Sequence, residues 1–236
     1  MNYSQTSISV EHSFEKPFKG SNLLKGLTVM DMGSRDYQEV WDIQKKLQLK
    51  RINGEIEDAL ILVEHEPVYT LGKNADENHL LQNYPNDVKV FQIERGGDVT
   101  FHGPGQLVGY PIIDLHNHKL SISWYMRSLE ETIMNTLDYF DIKSERKEGL
   151  TGVWVNDEKI AAFGVRVSRW VTMHGFALNV NPDLIYYDGI IPCGLFEFGV
   201  TSMEKILGHE VDIEHVKRQL IHEFSNLFQQ NNYEVN

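Results

Sequence analysis

The sequence predicts an α+β fold, a mixed or antiparallel sheet covered by helices. Three observations lead there. Strand-like apolar runs follow one another without intervening helices over residues 152–180, one long amphipathic stripe lies mid-chain, and two helical segments close the chain. A length of 236 residues with 41% hydrophobic residues can bury a substantial core. We expect one domain over residues 26–236, preceded by a polar arm, residues 1–25, that is disordered or lies on the surface.

Leu27–Met30 reads as a short strand, after which Ser34 offers an N-cap to a helix with Tyr37, Val40, Trp41 and Leu47 on its apolar face. That helix ends before Asn53-Gly54. Ala59–Val63 is a continuous apolar run of strand length, expected to be a central strand buried on both faces, with a structural His65 at its exit and a turn at Glu66-Pro67. Asn74–Asp87 reads as loop with one helical turn, and Val88–Ile93 alternates as a strand. Leu107–Leu115 is the next strand, and His116-Asn-His118 a solvent-facing loop, since a lone H-x-H pair is a weak metal signal. Ser123 caps a helix with the stripe Met126, Leu129, Ile133, Leu137 and Phe140, which must lie across a sheet. Three strands follow as a meander, Gly152–Val155, Lys159–Val167 and Val171–Val180, the first two joined by a tight turn at Asn156-Asp157. Thr201 and Glu204 have capping-box spacing for a short helix to Gly208, and a last helix from Asp212 buries Val216, Leu220, Phe224 and Leu227.

The stretch Arg95–Pro111 is rich in glycine beyond what a packed core requires, with Gly96, Gly97, Gly103, Gly105 and Gly109. Glycine admits positive φ, or close approach of a ligand to backbone N–H groups. A Walker loop is excluded because Gly105 is followed by Gln106-Leu107, and a dinucleotide fingerprint because the glycine spacing is wrong and a strand follows. A plain turn would leave Arg95, Thr100, His102 and Gln106 unexplained, so a ligand loop is the better reading.

The formal net charge of −12 argues against nucleic-acid binding. No apolar run is long enough to span a membrane. Residues 1–25 contain Glu11 and Glu15 and lack the apolar core of a signal peptide, so a cytoplasmic location is expected. Cys193 is the only cysteine. Its place between Pro192 and Gly194, outside any periodic segment, suits an accessible nucleophile better than a core residue. A free thiol has a pKa of about 8.5, so it needs a partner to raise its thiolate fraction, and Lys159, His102 and His174 are the candidates. Small residues Ala161, Ala162 and Gly164 on one strand and Gly175 and Ala177 on the next fit either a pocket for an elongated apolar ligand or close helix packing.

Five segments in order carry a resemblance to the lipoyl(octanoyl) transferases: Glu64-His-x-Pro-Val-Tyr-Thr-Leu-Gly72, Arg95-Gly-Gly-x-x-Thr-Phe-His-Gly-Pro-Gly-Gln106, Lys159-Ile-Ala-Ala162, His174-Gly-x-Ala-Leu-Asn179 and Pro192-Cys-Gly194. The likeness runs from about Leu27 to Gly208. It implies the fold shared with the catalytic domains of biotin and lipoate ligases, and a single catalytic domain over 26–236. It implies transfer of an octanoyl or lipoyl group from acyl carrier protein, through a thioester on Cys193, to a lysine of apo lipoyl domains of 2-oxoacid dehydrogenases or of the glycine cleavage H protein, the first step of endogenous protein lipoylation. Cys193 and Lys159 would be the catalytic dyad. Arg95, Gly96, Gly97, Asp98, Val99, Thr100, Phe101 and His102, with Ala162, Phe163, Gly164, Gly175, Phe176 and Ala177, would line the acyl site. No cofactor, ATP, metal, nucleic acid or membrane is expected.

A thiol suits such an exchange, because it takes the acyl group from one thioester and holds it as another before passing it downhill to an amine. Two readings of other classes compete, an ATP-dependent lipoate-protein ligase on the same fold and a non-catalytic acyl-binding protein. Since both protein partners are expected to be acidic like this chain, docking would use local basic residues such as Lys143, Arg146, Lys147, Arg166 or Arg169.

Overall fold

The computed structural model describes residues 26–81, 84–85, 88–191 and 198–229, with Glu77 and Gln229 described by their backbone alone. Cys193 and the arm at residues 1–25 lie outside the described residues. In chain order the elements are β1 (Leu27–Arg35), α1 (Tyr37–Ile52), β2 (Asp58–His65), β3 (Val68–Leu71), β4 (Lys89–Gln92), β5 (Val99–His102), β6 (Gln106–Ile112), α2 (Ile122–Tyr139), β7 (Val153–Val155), β8 (Glu158–Ser168), β9 (Val171–Asn179), β10 (Gly199–Val200), α3 (Met203–Leu207) and α4 (Ile213–Gln229). Short 3-10 turns at Glu77–His79, Leu115–Asn117 and Leu184–Gly189 complete the described elements.

A large mixed sheet runs β1-β2-β6-β9-β8-β10, with β7 paired to β8. β1 is parallel to β2 and β10 to β8, and the remaining pairs are antiparallel. A second sheet, β4-β3-β5, stands apart. It differs from the expectation twice: Val68–Leu71 is a strand, and the middle of the glycine-rich stretch, Val99–His102, is strand rather than loop.

Helices cover the large sheet on both faces. On one side α2 and α4 bury Leu129, Ile133, Leu137, Val216, Leu220 and Phe224 against Leu60, Leu62, Leu107 and Leu178. On the other, Val40 of α1 packs on Ile61, Val63, Val108 and Ala177. Alternate side chains of β2 thus enter opposite cores, which is why its sequence is continuously apolar. It is second from the edge, however, and the central strand is β9, all nine of whose residues are buried.

Three helix starts differ by one or two residues from the expectation. The carboxylate of Asp36, not Ser34, accepts from the N–H groups of Gln38 and Glu39. Ser121, not Ser123, caps α2 through Trp124 N, and Ser202, not Thr201, caps α3 through Lys205 N. In each case the preceding segment ends on an extended residue whose side-chain oxygen reaches two or three residues ahead. Gly208 closes α3 at φ 77°. The two members of the H-x-H pair also part company. His116 is exposed beside Asp114, whereas the buried His118 ring meets Asp58 Oδ2 at 2.9 Å in a cluster with Arg51.

Candidate active site

A cavity of about 550 Å³ opens between the two sheets. Its walls are the Arg95–Thr100 segment, the β8 residues Ala161–Val165 and the β9 residues His174–Ala177, with Lys159 and His102 also on it. Of the expected acyl-site residues, Arg95, Gly96, Gly97, Asp98, Val99, Thr100, His102, Ala162, Phe163, Gly164, Gly175, Phe176 and Ala177 all line it. Phe101 does not. Strand alternation sends its ring into the core of the small sheet, stacked on Tyr186 at 4.6 Å. Tyr37, Tyr110, Met126, Gly149–Thr151 and Tyr187 line the cavity as well, although sequence reasoning placed them as helix faces, strand interior and connections.

The loop before β5 is held by its own hydrogen bonds. Gly96 N donates to Val165 O at 3.0 Å, Lys73 N to Arg95 O at 2.9 Å and Gly72 N to Asp98 O at 3.2 Å. Val99 N is taken by the Asp98 carboxylate, whose other oxygen meets His79 Nδ1 at 2.5 Å. The N–H groups of Gly96 and Val99 are therefore committed within the protein, which narrows the expectation that this loop offers its N–H groups to a ligand carbonyl. Arg95 is a buried anchor: Nη2 donates to Thr70 O at 2.6 Å and to Thr70 Oγ1 at 2.9 Å. Its guanidinium lies against Gly72, where a Cβ would come within 2.8 Å of Nη1 and 2.2 Å of Gly97 O.

From Thr70 a buried relay crosses the floor of the site. Thr70 Oγ1 lies 3.4 Å from His102 Nε2, and His102 Nδ1 donates to Gln106 Oε1 at 2.8 Å. An amide oxygen only accepts, so Nδ1 carries the proton and Nε2 accepts from the threonine hydroxyl. Gln106 Nε2 donates in turn to Asn179 Oδ1 and to Tyr187 Oη, both at 2.9 Å, and Asn179 Nδ2 to Thr201 O at 2.9 Å. Thr201 N then donates to Lys159 O at 3.0 Å. Burial, reinforced by nearby His65, lowers the His102 pKa to about 3, so the ring is neutral at pH 7 with both nitrogens engaged. His102 is thus tied into the scaffold on both sides of its ring. His65 is structural too, bridging Arg35 O and Tyr110 Oη with its pKa lowered by burial to about 4. His174 is neutral for the same reason, at about 3, and stands at φ 60° with neither ring nitrogen hydrogen-bonded.

Lys159 is 8% exposed at the start of β8, and its Nζ lies 4.8 Å above the Trp154 ring. The described residues that follow Cys193 return to this place: β10 pairs with β8 with Val200 opposite Lys159, and the Phe198 ring meets Trp154 at 5.1 Å. The small residues of β8 and β9 have mixed uses. Gly164 gives way to Gly96 O, which a Cβ would approach to 2.7 Å, and Gly175 to Gly109 O at 2.2 Å, so both make room for neighbouring backbone as well as lining the cavity. Among the described residues no group of three or more His, Cys, Asp or Glu side chains could hold a metal ion, and no helix is long and apolar enough to cross a membrane.

The chain is similar to the octanoyltransferase of Christiangramia forsetii, 46% identical over 226 residues that cover 87% of this chain and 97% of that protein. It is equally similar, by the same measures, to the octanoyltransferase of Flavobacterium johnsoniae. Among solved structures, the bipartite lipoate protein ligase of Thermoplasma acidophilum superposes with a TM-score of 0.63 at 16% identity, covering 85% of this chain and 83% of that one. The biotin protein ligase of Aquifex aeolicus in complex with biotin and ATP gives 0.53 at 12% identity, covering 89% and 73%. These two likenesses show the fold alone, the one expected. The profile of the lipoyl protein ligase A/B catalytic domain matches residues 36–225, and with the curated relatives it shows that the chain belongs to the octanoyltransferases of that family and is an acyltransferase.

Proposed function

We propose that the protein takes an octanoyl group from acyl carrier protein onto Cys193 and passes it to a lysine of a lipoyl domain or of the glycine cleavage H protein. The observation that supports this most is the convergence of the glycine-rich segment, the small-residue strands and Lys159 on one cavity of a size suited to a medium-chain acyl group. Phe163, Phe176, Ala161 and Met126 give it an apolar wall. In the first half-reaction the Cys193 thiolate attacks the carrier thioester. A carbon–sulfur bond forms to the cysteine, the one to the carrier breaks, and the carrier thiolate leaves and takes a proton. In the second, the acceptor amine attacks the cysteine thioester, an amide forms, and the thiolate returns. Lys159 serves both steps in this reading, its ammonium favouring the thiolate first and its amine accepting the substrate proton later. The engaged, neutral His102 leaves less room for the alternative in which that histidine is the thiol's partner.

The basic residues offered for docking are mostly committed. Lys143 pairs with Asp138, Arg146 with Glu130 and Glu131, Lys147 with Asp157, and Arg166 with Glu94. A carrier would have to displace these partners or dock elsewhere.

Intact-protein mass after mixing with octanoyl-acyl carrier protein, with and without ATP, tests the reading. One octanoyl group should add without ATP, be released by hydroxylamine and be absent as a labile thioester from Cys193→Ser. Unchanged turnover by Cys193→Ser, or acyl transfer only when ATP and free octanoate are supplied, would overturn it in favour of another nucleophile or of a ligase.

A further inference from the structure

We propose that Trp154 is a positioning residue for Lys159, holding its ammonium over the indole face beside the cavity. This rests on the reading above, in which Lys159 works on the acyl thioester.

The arrangement is built by the strand pair. Between β7 and β8 the register shifts, with Val153 opposite Ala161 but Trp154 opposite Lys159. Such a bulge re-aims side chains, and here it sets the lysine directly across from the indole. Gly152, at φ 150°, leaves space where they meet, since a Cβ there would stand 3.1 Å from both Lys159 Cε and Trp154 Nε1. Trp154 is 1% exposed and Lys159 8%, so the contact is shielded from water, the setting in which a cation over a ring is held most strongly. The polar end of the indole is unused: Trp154 Nε1 is buried without a hydrogen bond. Buried tryptophans usually place that N–H on a partner, so what this residue contributes is its ring face.

Among the described residues, Lys147, Glu130 and Glu158 around the pair are partnered. Lys147 Nζ lies 5.8 Å from the same ring and 5.5 Å from Phe198, and is tied to Asp157 and Glu145. Glu130 of α2 reaches Gly152 N at 3.4 Å and is matched by Arg127 and Arg146. Glu158, next to Lys159 on β8, pairs with Lys205.

The test is the 1H–13C NMR spectrum of side-chain 13C-labelled lysines, with the Lys159 ε-CH2 signal identified by its loss in Lys159→Met. Over the indole face that signal should stand upfield of the other lysines; Trp154→Leu should return it to their range, and Trp154→Phe only part of the way, because the smaller ring keeps a face for the cation. Single-turnover acylation should slow in the same order. An unmoved ε-CH2 signal, or unchanged acylation by folded Trp154→Leu, would overturn the proposal, and Trp154→Phe decides alone if Trp154→Leu does not fold. Full octanoyl transfer by Lys159→Met would instead sink the role given to the lysine, leaving the NMR signal to report on the tryptophan.

Discussion

The two halves of the glycine-rich stretch use the same residue for opposite purposes. In the first half, a Cβ on Gly96 would meet only Val165 O, at 3.5 Å, so the position is bare toward the cavity. In the second half, a Cβ on Gly109 would come within 2.1 Å of the Phe176 ring and one on Gly105 within 2.3 Å of Asn181 O, so these glycines are filled by protein. Gly105 also anchors the strand ends on either side, its carbonyl accepting from Val180 N and Asn181 N and its N–H donating to Glu64 Oε2 at 2.9 Å. A run of glycines in a sequence can therefore be part site and part scaffold. What separates them is what stands in the space of the missing side chain.

The sharpest way to break this contrast is Gly109→Ala. The buried Phe176 ring would have to be pushed out of its packed place toward the cavity it lines, so overpacking should cost about 3 kcal/mol in urea denaturation. Adding Phe176→Ala should recover part of that loss, and an alanine tolerated at full stability would refute the scaffold reading of this half. Gln106→Leu, at the boundary between the halves, should cost about 2 kcal/mol, because it strands His102 Nδ1–H in a buried site and leaves Asn179 Oδ1 with Tyr187 Oη alone of its two donors. Its transfer rate should fall too, through loosened cavity walls.

Acid should undo the scaffold next. His65, His102 and His174 are held neutral in the fold, with pKa values of about 4, 3 and 3, below the roughly 6.5 of an unfolded histidine. The unfolded chain then binds more protons between those limits. The stabilisation is fully present above pH 6.5 and is lost as pH falls toward 4 and 3, at up to about 1.4 kcal/mol per pH unit for each histidine. Measuring denaturation midpoints from pH 7 to 5 should show this fall, and His102→Gln should make it shallower by one proton. An unchanged slope would mean that His102 titrates alike in both states. The smallest effect on stability belongs to Gly96→Ala. Folding should change by less than about 1 kcal/mol, whereas octanoyl transfer should drop about tenfold, since the added methyl enters the cavity. Equal losses in both would place Gly96 with the scaffold.

Much of the fold follows from rules that act within a few residues. The stripes of α2 and α4 needed only helical spacing, the meander only strand-length apolar runs, and the turn after β7 an asparagine that accepts φ 54°. The residues expected at an acyl site, Phe101 apart, line one cavity, and they could be named in advance because they sit in motifs whose order is shared with a known family. Other features had no local signal. Nothing near Arg169-Trp170 marks the two-residue turn between β8 and β9, where both residues stand at positive φ, 49° and 62°. Nor does any segment show that β3, β4 and β5 form a sheet of their own, since strand partners are chosen by contacts distant in sequence. The relay from Thr70 through His102, Gln106 and Asn179 to Thr201 likewise links residues from four separate segments. Local propensity, periodicity and motif order thus determined the elements and which residues are candidates for the chemistry. The tertiary structure alone decided which glycines face the cavity, that His102 is spent on the scaffold and that Lys159 rests on Trp154, because burial and the identity of a neighbour exist only once the strands have paired.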